Sequence, residues 1–323
     1  MKIAFISKKT DINNGSYRIW VNDLNYYFNS LGIKSSINPK SIDEYDIHIY
    51  EKGNFKIKNK KKINGSINPT SDSNDLKLFD FIIVGSVEER ESMIDKHQNI
   101  FIFPLIEKMY LNLKPKKHLP QKEITIGYHG NPYHLNHFNL GLKNALERLN
   151  KKFKLKFLYV TKNDKEWVQG IPKIKKEFIN WDIKTIKNTI YRFDIGIVPT
   201  VSEIYNDKKL NTNMTLGLYN TDMKIRFKNK ANNGRILVLA QCGIPIVADL
   251  IPSNMHILGN PDNGFAVLGE EGWYQALKKL CKDHELRNSV SVNAYQEVKR
   301  IYDPLVWAKK LYKKISKINK KIK

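Results

Sequence analysis

Cysteine is nearly absent from this 323-residue chain, which has only Cys242 and Cys281. They fall in separate apolar helical patterns rather than in a Cys-x-x-Cys pair, which excludes a disulfide framework and a structural zinc site and fits a reducing compartment. Long hydrophobic runs are missing too. No segment approaches the ~18 apolar residues of a membrane span, and the first apolar stretch, residues 2–7, is too short for the core of a signal peptide. A soluble cytoplasmic protein is expected. Arginine is scarce, with eight among 55 basic residues, although recognition of bases and phosphates usually favours the bidentate guanidinium. There is no Gly-x-Ser-x-Gly elbow, no P-loop and no Gly-x-Gly-x-x-Gly fingerprint, so hydrolase, NTPase and dehydrogenase readings lose their usual support. No Asp-x-Asp occurs, and no His/Asp/Glu cluster has metal-ligand spacing, so a divalent metal is not implied.

What is abundant is lysine. Fifty-five Lys and Arg stand against 32 Asp and Glu, a formal net charge of +23. The joint excess of Lys, Ile and Asn matches the codon usage of an AT-rich genome and accounts for part of this. The remainder can steer anionic ligands such as sugar nucleotides, or hold the protein against an anionic membrane surface. A nucleic-acid binder rests on charge alone, and no specific nucleic acid is expected. The length and a hydrophobic fraction of 41% suffice for two cores.

Apolar strand-like runs alternate with helical patterns throughout, the signature of parallel sheets built from βαβ units. Strands are expected at residues 2–7, 46–50, 81–85, 100–103, 124–128, 155–160, 194–198, 244–248 and 264–268. After the first strand, Asn13-Asn14-Gly15-Ser16 reads as a helix start. Ile19, Leu24, Phe28 and Leu31 then form the inner face of a helix that Gly32 ends. The lysine-rich stretch 56–62 reads as a solvated loop closed by a turn at Asn64-Gly65-Ser66, and residues 113–122, with Pro115 and Pro120, read as an interdomain linker. Helices are expected at 135–149, 183–191 and 232–242, with three more at the end. The long polar stretch 200–228 has little periodicity, and so long a loop in a compact domain is more often functional than idle. The division expected is 1–115, 116–302 and a basic amphipathic helix 303–323.

The most specific region runs from Asp194 to Leu268. It holds Asp194-Ile-Gly-Ile-Val-Pro199, then Lys228-Asn-Lys-Ala-Asn-Asn-Gly-Arg235, then Gly243-Ile-Pro-Ile-Val-Ala248 and Asn263-Gly264-Phe265. A helix beginning at Asn232/Asn233 directs free amide N–H groups and partial positive charge at what precedes it, which makes an anion site. Arg226, Lys228, Lys230 and Arg235 surround that start, and two phosphates could be neutralised there as a leaving group gains charge. His129-Gly130-Asn131 follows a strand where glycine lets a backbone approach a ligand closely; His129 there reads as a donor to phosphate or sugar hydroxyl, or as a loop histidine.

This order of pieces resembles the nucleotide-binding half of GT-B glycosyltransferases, in particular the retaining family-4-like enzymes (glycosyltransferase group 1 type). Gly127-Tyr-His-Gly-Asn131 is similar to the start of that half, and Asn14-Gly15-Ser16 to the glycine loop of the N-terminal one. The resemblance implies an α/β protein of two Rossmann-like domains with parallel sheets, an N-terminal acceptor domain and a C-terminal donor domain with the cleft between them. It implies a metal-independent, hexosyltransferase-like enzyme that moves a sugar from a nucleotide diphospho-sugar to a carbohydrate or lipid-linked acceptor in surface polysaccharide assembly. No cofactor is implied, the nucleotide sugar being substrate. The donor-binding residues are then Gly15, His129, Gly130, Asn131, Arg226, Lys228, Lys230, Asn232, Asn233 and Arg235, and no catalytic side chain is identified. Two departures matter. The family's pair of glutamates is replaced by Lys230 and Val238, whereas Lys228, Asn232, Asn233 and Arg235 match a related Lys…Asn-Asn-Arg/Lys pattern suited to phosphate. Glu51 stands where family members often carry a histidine. The alternative is therefore a catalytically degenerate GT-B protein acting as a glycan- or partner-binding module.

Near the C-terminus, Trp307, Leu311, Ile315, Ile318 and Ile322 form one apolar stripe amid lysines. The part up to Ile315 is expected to pack across both domains. The final turns are expected to touch an anionic membrane peripherally, at its inner face.

Overall fold

The computed structural model describes residues 1–53, 55–69, 75–163, 165, 167, 170–200 and 232–318. The chain forms two compact units, Met1–Met109 with Tyr302–Lys323, and Tyr110–Ile301.

Unit 1 begins with β1 (Ile3–Ile6) and a helical run, α1, in which Gly15–Tyr17, a π-helical stretch Arg18–Asp23 and Leu24–Ser30 follow end to end. Asn14 caps its start by accepting from the Ser16 amide, and Gly32, at φ +74°, ends it. Then come β2 (Ser35–Ile37), β3 (Ile47–Glu51), β4 (Ile63–Ile67), β5 (Phe81–Val84), α2 (Val87–Glu91) and β6 (Ile100–Ile102). The sheet is wholly parallel in the order β2-β1-β3-β4-β5-β6. β3 and β5 are buried along their whole length, as expected for parallel strands covered on both faces.

Asn64-Gly65-Ser66 is the centre of β4, not a turn. An Asn-Gly pair is a strong turn signal, but here the glycine serves close packing. A Cβ at Gly65 would lie 2.1 Å from the Phe81 ring on the neighbouring strand.

Unit 2 contains β7 (Ile124–His129), a 3-10 run Pro132–Leu140, α3 (Leu142–Asn150), β8 (Leu155–Thr161), β9 (Lys175–Asn180), α4 (Ile186–Ile190), β10 (Ile195–Val198), α5 (Gly234–Gln241), β11 (Ile246–Asp249), α6 (Pro252–Leu258), β12 (Phe265–Val267), α7 (Gly269–Lys282) and α8 (His284–Ile301). Its parallel sheet has the order β12-β11-β10-β7-β8-β9. Each unit thus has a six-stranded parallel sheet, and the two make a two-Rossmann-like-domain protein of the α/β class. On one face, Phe138, Phe157, Tyr159 and Trp167 form an aromatic cluster with ring centroids 5.1–5.7 Å apart. On β7, Gly127 leaves room for the Phe193 ring, which a Cβ would meet at 1.9 Å.

The segment expected as a linker is built into unit 2. Lys116 donates its amide to the Cys242 carbonyl and its ammonium to Asp194 (3.1 Å), while the His118 amide and the Asn288 side chain are joined in both directions at 2.7 Å. Both cysteines are buried free thiols.

The last helix, α9 (Pro304–Ile315), belongs to unit 1, where it packs on α1 and β6. Leu311 and Ile315 are buried as the stripe requires, Trp307 and Ile318 are half-buried, and Ile322 lies outside the described residues. Among the described residues, no helix is long and apolar enough to cross a membrane.

Candidate functional site

In unit 2 the chain lays down β7, β8 and β9 toward one edge and then returns to place β10 on the other side of β7. Ligands of open α/β sheets bind outside the carboxyl ends of the strands at such a reversal. The residues at this point are His129 at the end of β7 with Gly130 and Asn131 after it, Pro199 and Thr200 after β10, and the start of α5.

Arg235 ties these pieces together from the first turn of α5. Its guanidinium donates to the Tyr128 hydroxyl (3.2 Å), the Pro199 carbonyl (3.1 Å) and the Thr200 hydroxyl (3.4 Å). Among the described residues these hydrogen-bond partners are all neutral, so they orient the positive charge without neutralising it. The Tyr128 hydroxyl donates in turn to the Asn131 carbonyl (2.7 Å), and burial, opposed by Arg235, pushes that phenol up to about 12. α5 has no acidic residue in its first turn and no side-chain cap from Asn233. Asn232 accepts from the Gly234 amide at 3.2 Å. A helix start of this kind combines directed amides with partial positive charge.

Gly130 is at φ +136°, and a Cβ there would lie 3.1 Å from the Tyr128 hydroxyl and 3.2 Å from Arg235 Cδ. Gly130→Ala is therefore expected to cost about 1–3 kcal/mol through backbone strain and to displace the guanidinium. A lowered urea midpoint with an unchanged slope is the reading that checks it.

His129 is buried, and its Nε2 has no hydrogen-bond partner among the described residues. Burial first, and then the Arg235 charge, lower its pKa to about 3, against a backbone hydrogen bond with Arg235. It is a neutral imidazole at physiological pH. The unfolded chain binds a proton there near pH 6.5 and the folded one only near 3, so its contribution to stability is present above 6.5 and lost as the pH falls through that window. His129→Gln is expected to flatten the rise of unfolding free energy with pH between about 4 and 6, by up to ~1.4 kcal/mol per pH unit. Urea titrations at several pH values measure this slope, and an unchanged slope would contradict the buried neutral state.

Of the ten donor-binding residues expected, His129, Gly130, Asn131, Asn232, Asn233 and Arg235 are brought to one edge of unit 2. Arg226, Lys228 and Lys230 lie outside the described residues, as does most of the 200–228 loop. Val238, at one of the two family glutamate positions, is fully buried in α5, so that position is core.

Gly15 lies in unit 1, at the equivalent reversal between β1 and β3. A Cβ there would meet only Arg18, at 3.7 Å, so packing does not require the glycine. Beside it is a network that sequence reasoning missed. The buried Glu51 carboxylate pairs with the Ser16 hydroxyl (2.7 Å) and the Ser7 hydroxyl (2.8 Å), and Asn68 donates to Ser16 (2.7 Å). The available signal was Glu51 at the end of a strand, since a carboxylate that ends a buried strand requires nearby donors. Among the described residues no group of three His, Cys, Asp or Glu could hold a metal ion.

No family model and no curated protein matches the sequence. Solved structures do match the fold. A glycosyltransferase from Rickettsia africae ESF-5 superposes with a TM-score of 0.65 at 12% identity, covering 99% of each chain. Sucrose-phosphate synthase from Thermosynechococcus elongatus gives 0.64 at 10% identity, covering 97% of this chain and 98% of that one. Anabaena Alr3699/HepE in complex with UDP and glucose gives 0.61 at 12% identity, covering 98% and 99%. At such identities the likeness is one of fold, and the fold is that of GT-B glycosyltransferases.

Proposed function

We propose that this chain is a glycosyltransferase that takes a nucleotide diphospho-sugar at the carboxyl edge of the unit 2 sheet and moves its sugar to a carbohydrate or lipid-linked acceptor, as in surface polysaccharide assembly. The observation that carries the reading is Arg235. It is a cation oriented, among the described residues, by neutral partners, at the strand-order reversal and in the first turn of a helix with no acidic residue there. UDP in HepE, and UDP with GlcNAc in the pneumococcal O-GlcNAc transferase GtfA, support a uridine diphosphate donor.

In the transfer, the bond from the sugar's anomeric carbon to the β-phosphate oxygen breaks, a bond to the acceptor hydroxyl oxygen forms, and the hydroxyl proton passes to the departing β-phosphate oxygen. Negative charge grows on the departing diphosphate, and Arg235 with the first-turn amides of α5 lies where that charge would be stabilised. Neutral His129 adds no second positive charge there. The site is arranged for positioning and leaving-group stabilisation, which is what a transfer without an evident side-chain base requires.

A panel of UDP-, GDP- and ADP-sugars tested for thermal stabilisation checks the donor class, since specific binding raises the melting temperature by mass action. A rise with UDP-sugars is expected, and no rise with any nucleotide sugar would contradict the reading. A second reading, a binding module without turnover, is favoured by the burial of Val238, which leaves no carboxylate at that position of α5. Release of free nucleoside diphosphate in the presence of acceptor separates the two.

A further inference from the structure

The outward side of α9 is not used by the donor site. At 100° per residue, Ala308, Leu311 and Ile315 point inward and are buried, while Val306, Lys310 and Lys313 share the opposite side, and Lys317 follows in the turn after the helix. Between the helix and β6 lies a groove of about 300 Å³. Its apolar floor is Ile102, Trp307 and Leu311, and its other lining residues are four lysines, 310, 313, 314 and 317. Two of them lie over aromatic rings, Lys310 over Trp307 at 5.4 Å and Lys314 over Phe101 at 5.8 Å. Among the described residues no carboxylate lines the groove. Elsewhere lysines find acidic partners, Lys154 and Lys175 on Glu123 and Lys156 on Glu177; among the described residues no lysine of α9 is in an ion pair.

We propose that this groove and the lysine face of α9 dock unit 1 on an anionic phospholipid bilayer, with headgroup phosphates between Lys310, Lys313, Lys314 and Lys317 and acyl methylenes against the apolar floor. Clustered lysines near an anionic leaflet are attracted within a Debye length. Charge alone would serve a soluble polyanion equally well. The apolar members decide for lipid: Val306 and Leu305 are 45% and 38% exposed at the start of the same helix, and an indole beside lysines is the usual pairing at a membrane interface. The inference stands apart from the donor reading, because it concerns other residues in the other unit.

Cosedimentation of the full chain with vesicles of phosphatidylcholine, with and without phosphatidylglycerol, tests it. Binding only to the vesicles with phosphatidylglycerol is expected. The variant K310Q/K313Q/K314Q/K317Q is expected to lose at least about a hundredfold in partitioning, since each of the four lysines near such a surface contributes about fivefold. K56Q/K58Q/K60Q/K61Q removes the same charge from the loop before β4 and is expected to lose less than threefold. Val306→Ser, with charge unchanged, is expected to weaken binding about threefold, which a soluble polyanion would not report. Circular dichroism shows that each variant is folded. Equal losses in the two quadruple variants, equal binding to neutral vesicles, or an unchanged Val306→Ser would each overturn the proposal.

Discussion

Replacing Arg235 by alanine is expected to weaken binding of UDP and of UDP-sugars by about 1.5–3 kcal/mol, roughly 10- to 150-fold, the usual worth of a charge-assisted hydrogen bond to phosphate. The guanidinium is half-buried and already oriented by Tyr128, Pro199 and Thr200, so little side-chain entropy is left to lose on binding. Arg235→Lys is expected to recover only part of the affinity, because a point charge cannot reproduce the fork that bridges the phenol and the carbonyl. Those three partners are neutral, so among the described residues the alanine variant strands no buried carboxylate, and it is expected to fold. Isothermal titration calorimetry measures the change, and an unchanged affinity would remove the assignment.

The largest effect on stability is expected at Phe157. Its ring is fully buried on β8 and touches Phe138, Tyr159 and Trp167, with centroids 5.4, 5.5 and 5.7 Å away. Phe157→Ala removes a ring from the middle of four and leaves a cavity that the flanking strands cannot close, at a cost of about 3–5 kcal/mol. Phe157→Leu keeps most of the volume and is expected to cost less than half as much. Urea unfolding of the three proteins orders them directly.

These two residues differ in how readable they are. Phe157 lies in an apolar run whose length and content announce a buried strand, and most of the sheet framework follows from such runs. β9 was not legible, because it is an edge strand rich in Lys and Glu, the chemistry that protects an edge from further pairing. β4 was hidden by a glycine that serves close packing while reading as a turn. The segment 113–122 has the prolines of a linker, yet its hydrogen bonds to Cys242, Gly243 and Asn288 are long-range in sequence and leave no local trace.

The site was legible to the extent that it depends on local pattern. Gly130 after a strand and Arg235 at a helix start can be read from spacing. What could not be read is the role of Tyr128, whose hydroxyl joins Arg235 to the Asn131 carbonyl across 107 residues of sequence. Nor could the neutral state of His129, which follows from burial beside a cation. In unit 1, Glu51 was noticed as a departure from a family pattern, while its hydroxyl partners Ser7 and Ser16 lie 44 and 35 residues away.

The central claim is that the carboxyl edge of the unit 2 sheet, at the reversal between β7 and β10, is a diphosphate site. A crystal structure of the protein with UDP tests it most directly. The account predicts phosphate oxygens about 3 Å from the Arg235 guanidinium and from the first-turn amides of α5, beside Gly130. A UDP molecule bound elsewhere, with Arg235 still confined to Tyr128, Pro199 and Thr200, would contradict it.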